Sequence, residues 1–179
     1  NRKVTGLPSR KARENPWPLV AHHLRGRLQP AKANDWLRTN SWFDSWVAGR
    51  LLHGSSRVFI GVETCAVRSF EIAQKRGMVC VLDHPQAHPQ FLENVLREAA
   101  DDLRIPYTIQ IDLPSMARQK VRELAMTDFL LTYSGVHSRG FMQNGFPQEQ
   151  IVEILHWVDQ DLWHPPRYKP APENKALQV

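Results

Sequence analysis

Residues 128–165 read DFLLTYSGVHSRGFMQNGFPQEQIVEILHWVDQDLWHP, and this stretch decides the fold. The apolar run 129–132 predicts a strand, and Ser134 follows as an N-cap for a helix reaching Asn144. Gly145 stops that helix, and Pro147 lies just beyond it. A second apolar run, 151–155, predicts another strand, after which Val158-Asp159, Trp163 and Pro165 close the unit. Strand, helix and strand at this spacing make a βαβ unit, which requires a parallel sheet.

Upstream the pattern repeats. Residues 57–62 predict a buried strand, and residues 65–76 a helix with Val67, Phe70 and Ala73 turned inward and Gly77 as its stop. Residues 78–82 predict the next strand. Residues 89–103 predict a helix with Phe91, Leu92, Val95, Leu96 and Ala99 on one face. Residues 107–111 read as a short strand or an extended connector. Ser115 is placed to cap a helix ending at Ala125, with Met116, Val121 and Leu124 on its apolar side. Residues 35–52 carry Trp36, Leu37, Trp42, Phe43, Trp46, Val47 and Leu51 at helical spacing, with the tryptophans read as core. Before them only a short helix around residues 19–24 is expected. Alternating strands and helices predict an α/β domain, a parallel sheet doubly wound by helices.

The chain has 179 residues, 42% hydrophobic and 23% charged, which suits one domain with a core. No window approaches the roughly 18 apolar residues that span a bilayer, and no signal-peptide h-region appears at the N-terminus. The two cysteines, Cys65 and Cys80, fall in no metal-ligand spacing and read as reduced thiols. The formal charge of +5 is concentrated at the start: residues 1–27 hold seven Lys/Arg against the single acid Glu14. A basic lead suits an anionic membrane, an anionic acceptor or a nucleic acid, or is simply a solvated loop.

In a sheet of this kind ligands sit beyond the carboxyl ends of the strands. That rule selects three loops: Glu63-Thr64, Asp83-His84-Pro85 and Tyr133-Ser134-Gly135. Neither a G-x-G-x-x-G nor a P-loop is present, which removes the main support for dinucleotide and P-loop readings. A serine hydrolase lacks its G-x-S-x-G elbow. His84 and His88 are four apart, but Pro85 and Pro89 interrupt the helix that would bring them together on a metal. His22-His23, His53 and His164 have no comparable context.

Several blocks, in order, resemble family 4 glycosyltransferases. Glu123-Leu-Ala-Met-Thr-Asp128 is similar to the helix end and Ala-Asp before the last strands of that family's N-terminal domain. Ser134, Phe141, Gly145 and Pro147 fall on its Ser, apolar, Gly and Pro positions. Residues 151–159, with Trp163 and Pro165, resemble its Ile-x-Val-Ile-Pro-Asn-Gly-Val-Asp…Phe-x-Pro segment, although Trp157 stands where the family has Gly. Glu63-Thr-Cys-Ala, Ser69-Phe, Ala73, Gly77 and Val81-Leu-Asp-His-Pro85 resemble a subgroup pattern. The similarity covers roughly residues 57–166.

That resemblance implies the N-terminal half of a GT-B architecture and a retaining enzyme. Such an enzyme passes a sugar from a nucleotide-sugar donor to a sugar or lipid-linked acceptor hydroxyl, usually without a metal, so no cofactor is expected. His84 takes the position of the family's active-site histidine, hydrogen bonding donor sugar or acceptor. Glu63 and Ser134 are candidates for the same cleft rim, and Arg68 and Arg139 for an anionic group there. The implied division is a leading segment 1–34, an acceptor-side domain 35–166, and a linker 167–179 opening a donor domain. The family's first strand and Gly-Gly loop have no counterpart before residue 57, so a segment truncated at both ends and inactive alone is expected. Its setting would be cytoplasmic, with peripheral membrane contact through the basic lead and no nucleic acid. The rival reading is a self-contained Rossmann-like binding module whose basic lead engages an anionic partner.

Overall fold

Extended runs rich in Val, Ile, Leu and Phe satisfy their backbone groups only in a ladder, and four such runs here share one sheet. The computed structural model describes residues 14–28, 35–107 and 114–155. Its elements are α1 Trp17–Leu28, α2 Asp35–Leu51, β1 Val58–Val62, α3 Val67–Lys75, β2 Val79–Asp83, α4 Pro89–Asp102, α5 Pro114–Ala125, β3 Phe129–Thr132, α6 Gly135–Gln143 and β4 Ile151–Glu153. All three strand pairs are parallel, in the order β1-β2-β3-β4. This is an α/β fold of Rossmann-like kind, a parallel sheet flanked by helices. The readings at 108–113 and beyond 155, including Trp157, fall outside the described residues, as do residues 1–13 of the basic lead.

Every connection steps to the next strand in the same direction, and right-handed crossovers then put their helices on one face. The burial pattern agrees. Cys80, Leu82 and Leu130 join Ala66, Phe70 and Ala73 of the α3 region, Met78 and Phe141 of α6 in one core, with Leu124, Met126 and Phe146 packed against it. On the other face Val58, Ile60, Val62, Val79, Phe129 and Val152 are 36–59% exposed. The alternation had predicted helices on both faces. Among the described residues one sheet face stays open, because no crossover runs the other way.

Gly61 lets α3 close on β1: a Cβ there would stand 2.5 Å from Ala66 Cβ and 3.2 Å from the Phe70 ring. Phe91 of α4 likewise lies over Gly140 of α6, 2.9 Å from where a Cβ would be. Gly77 and Gly145 end their helices with φ of +66° and +87°, the left-handed turn that glycine supplies without strain.

Several helix faces differ from the sequence reading. Trp36 and Trp42 are 51% and 48% exposed, and the buried side of α2 is Leu37, Asp44 and Ala48, spaced i, i+7, i+11 toward α3. In α4 Val95 and Ala99 are exposed and Ala100 is buried. In α5 Val121 is exposed, while Lys120 and Glu123 point inward. Ser115 lies inside the first turn of α5 and does not precede it. α1 is longer than the expected 19–24. In α2 and α5 the inward positions include polar residues, Asp44, Lys120 and Glu123, each of which finds a buried partner.

Candidate functional site

The strand register builds the site. Val62 pairs with Asp83, so the next residues, Glu63 and His84, stand side by side on the helix-covered face at the carboxyl ends of β1 and β2. Asp83 pairs with Leu131 and Thr132 with Glu153, which extends the row to Glu63, His84, Thr132 and Glu153. Four polar residues thus close the carboxyl end of an apolar core.

His84 is fully buried. Its Nδ1 lies 2.7 Å from the Gln86 carbonyl oxygen. A carbonyl only accepts, so Nδ1 carries the proton and Nε2 is the acceptor nitrogen of the neutral ring. Nε2 lies 3.1 Å from Glu63 Oε2 but has no aligned hydrogen-bond partner among the described residues. Lys120 reaches in from α5, its Nζ 3.2 Å from the same Glu63 oxygen and 2.9 Å from Gln86 Oε1. Lys120 is 2% exposed, so the cation that balances Glu63 is as buried as the carboxylate. Burial, assisted by the Lys120 charge and by His137 and His88, depresses His84 to about 4. The imidazole is therefore neutral at physiological pH, and the ion pair belongs to Glu63 and Lys120.

The same row continues across β3 and β4. Thr132 Oγ1 and Ser138 Oγ are 2.8 Å apart, and Ser138 Oγ donates to Glu153 Oε2 at 2.8 Å. The rings of His84, His88 and His137 surround Phe141, with centroids 4.9, 5.4 and 6.1 Å from it. Among the described residues no group of three or more His, Cys, Asp or Glu is arranged to hold a metal. On the open face Tyr133 donates its hydroxyl proton to Asp83, which pushes the phenol up to about 12.

The turn after β1 is where many α/β proteins seat a phosphate on a helix N-terminus. Here protein carboxylates already fill that position. Glu123 accepts from Thr64 N at 2.6 Å and Ala66 N at 2.9 Å. Asp44 accepts from Arg68 N at 2.7 Å and from Ser69 N at 3.0 Å. Burial nonetheless pushes the Glu123 carboxyl up, because its hydrogen bonds repay only part of the lost solvation. Thr64 holds φ +65° in this turn, fixed by Glu123 and by Asn40 Nδ2, which donates to Thr64 Oγ1 at 2.8 Å.

Of the residues singled out from sequence, Glu63 and His84 meet. Ser134 caps α6 as expected, its Oγ accepting from His137 N at 3.3 Å. Arg139 is exposed on the same helix, with Nη1 3.7 Å from where a Gly135 Cβ would stand. Arg68 turns away from His84 toward α2, donating from Nη1 to Ser45 Oγ at 2.7 Å. Lys120 and Gln86 escaped the sequence reading, since a lysine in an amphipathic helix carries no mark of being turned inward. Cys65 and Cys80 are free, and burial raises both thiols to about 11, which makes them poor nucleophiles.

Fold and site together define a Rossmann-like α/β domain with a buried carboxylate–imidazole–ammonium group at its strand ends. No family model matches the chain, and no curated protein or solved structure matches it. No helix among the described residues is long and apolar enough to cross a membrane.

Proposed function

We propose that the chain is the acceptor-side domain of a retaining glycosyltransferase, with His84 as its residue nearest the transferred sugar. The observation that carries this reading is the buried Nε2 of His84, a neutral acceptor without an aligned donor at the carboxyl end of β2. Buried polar atoms are nearly always paired, and those that are not mark functional positions more often than others. A sugar hydroxyl is the donor such a nitrogen accepts. Gln86 fixes the tautomer, while Lys120 keeps Glu63 charged and the ring neutral.

The filled helix N-terminus after β1 supports an acceptor role over a nucleotide role. Asp44 and Glu123 occupy the donors that a diphosphate needs, so the leaving nucleotide would be held elsewhere.

The test is transfer from nucleotide sugars by this chain expressed with its flanking coding sequence. His84→Ala should lower turnover by at least about a hundredfold, the range removed with a positioned hydrogen-bonding group. Turnover unchanged in that variant would remove His84 from the site. Robust transfer by residues 1–179 alone would overturn the division into acceptor and donor domains.

A further inference from the structure

A second site lies on the helix layer, at the cleft of about 430 Å³ between α2, α3 and α5. Its walls are Ser41 and Asp44 of α2, Arg68 of α3, and Ser115, Arg118 and Arg122 of α5. Three arginines thus line one concavity, and among the described residues their charges are poorly balanced. Arg68 donates only to the neutral Ser45 hydroxyl among side chains. Arg118 has no side-chain partner among the described residues. Arg122 lies 3.1 Å from Glu71, but that pair is on the surface, 63% and 45% exposed, where solvent screens most of its attraction.

Among the described residues the single acid in the wall, Asp44, does not neutralise them. Both oxygens of Asp44 are spent on α3: Oδ2 on Arg68 N, and Oδ1 on Ser69 N and, at 2.5 Å, on Ser69 Oγ. Arg118 and Arg122, four residues apart on α5, repel each other, an arrangement that an anion between them relieves.

From this geometry we infer that the cleft binds the phosphoryl group of a small phosphorylated molecule. Guanidinium forks match a tetrahedral oxyanion in pairs, and a hydroxyl such as that of Ser41 adds to such a shell. A concave wall of this size encloses a small ligand and not a flat bilayer. The site is separate from His84: Gln119 and Glu123 stand between them, bound to Thr64. The inference does not rest on glycosyl transfer.

Calorimetry of the full chain at low ionic strength, with inorganic phosphate and then a hexose monophosphate as probes, tests this. Saturable binding of both is expected, with the sugar phosphate tighter. Arg118→Ala should weaken it by about tenfold or more, the worth of one charge-assisted hydrogen bond, and Arg118→Lys by less. Arg118 is exposed and has no partner among the described residues, so its loss leaves the fold intact by circular dichroism. Arg97→Ala, on α4, is the control and should change nothing. Equal binding by wild type and Arg118→Ala would overturn the site. So would capture by phosphatidylserine vesicles with no binding of the free phosphates, which would make the cluster a membrane contact.

Discussion

Replacing His84 by Gln should remove a specific slope from the pH dependence of stability. The folded ring titrates at about 4 and the unfolded one at 6.5. Below both values the two states carry the same proton, so the residue contributes no slope. Between them the unfolded chain takes up a proton that the buried ring refuses, so stability rises with pH across this window. The interval of about 2.5 units at about 1.4 kcal/mol each gives about 3 kcal/mol, gained from pH 4 to pH 6.5 and constant above. Urea unfolding followed by circular dichroism, in small pH steps, reads this directly as a shift of midpoint. Glu123, raised by burial, contributes in both proteins and cancels in the difference, as does the part of the His88 depression that comes from its own burial. Wild type minus His84→Gln should therefore climb by about 3 kcal/mol over the window. Parallel curves would refute the burial argument. A difference that falls as pH rises past 6.5 would mean that His84 is an imidazolium paired with Glu63, 3.1 Å away.

Lys120→Met should cost about 3–5 kcal/mol at neutral pH, because Glu63 is left buried without its cation. Thermal scans should register this as a drop of roughly 6–20 °C at this chain length; a loss below about 1 kcal/mol would show that Glu63 is solvated. Gly61→Ala should cost about 1–3 kcal/mol, since the new methyl lies 2.5 Å from Ala66 Cβ. Ala66→Gly in the same chain should recover part of that loss, and strictly additive costs would show that the two positions do not clash.

The strands were legible because apolar runs bounded by Gly, Pro and caps leave few alternatives, and β1, β2 and β3 fall within a residue of expectation. Ser134 and Gly145 mark their helix ends for the same local reason. Register then delivered one half of the site: residues after equivalent strand ends must be neighbours, so Glu63 meets His84. The other half came from tertiary structure. Lys120 and Glu123 turn inward on a helix whose apolar spacing favours Met116, Val121 and Leu124, because a buried carboxylate and an open helix terminus await them. Trp36 and Trp42 mislead in the opposite sense, since helical spacing of aromatics does not say which side meets a neighbour. The open sheet face was illegible too, since alternation reveals the helices and not the direction in which the crossovers step.

That direction also bears on how the chain assembles. Each strand pairs with the one made just before it, so β1, α3 and β2 (residues 58–83) close the first ladder using only local chain. Each later strand then needs only the edge already present. Among the described strands each pairs with its neighbours in sequence order, which keeps loop-closure costs low. The order 1-2-3-4 therefore lets the sheet grow at the pace of synthesis, with three-residue β4 the last of the described strands to join and the most easily released.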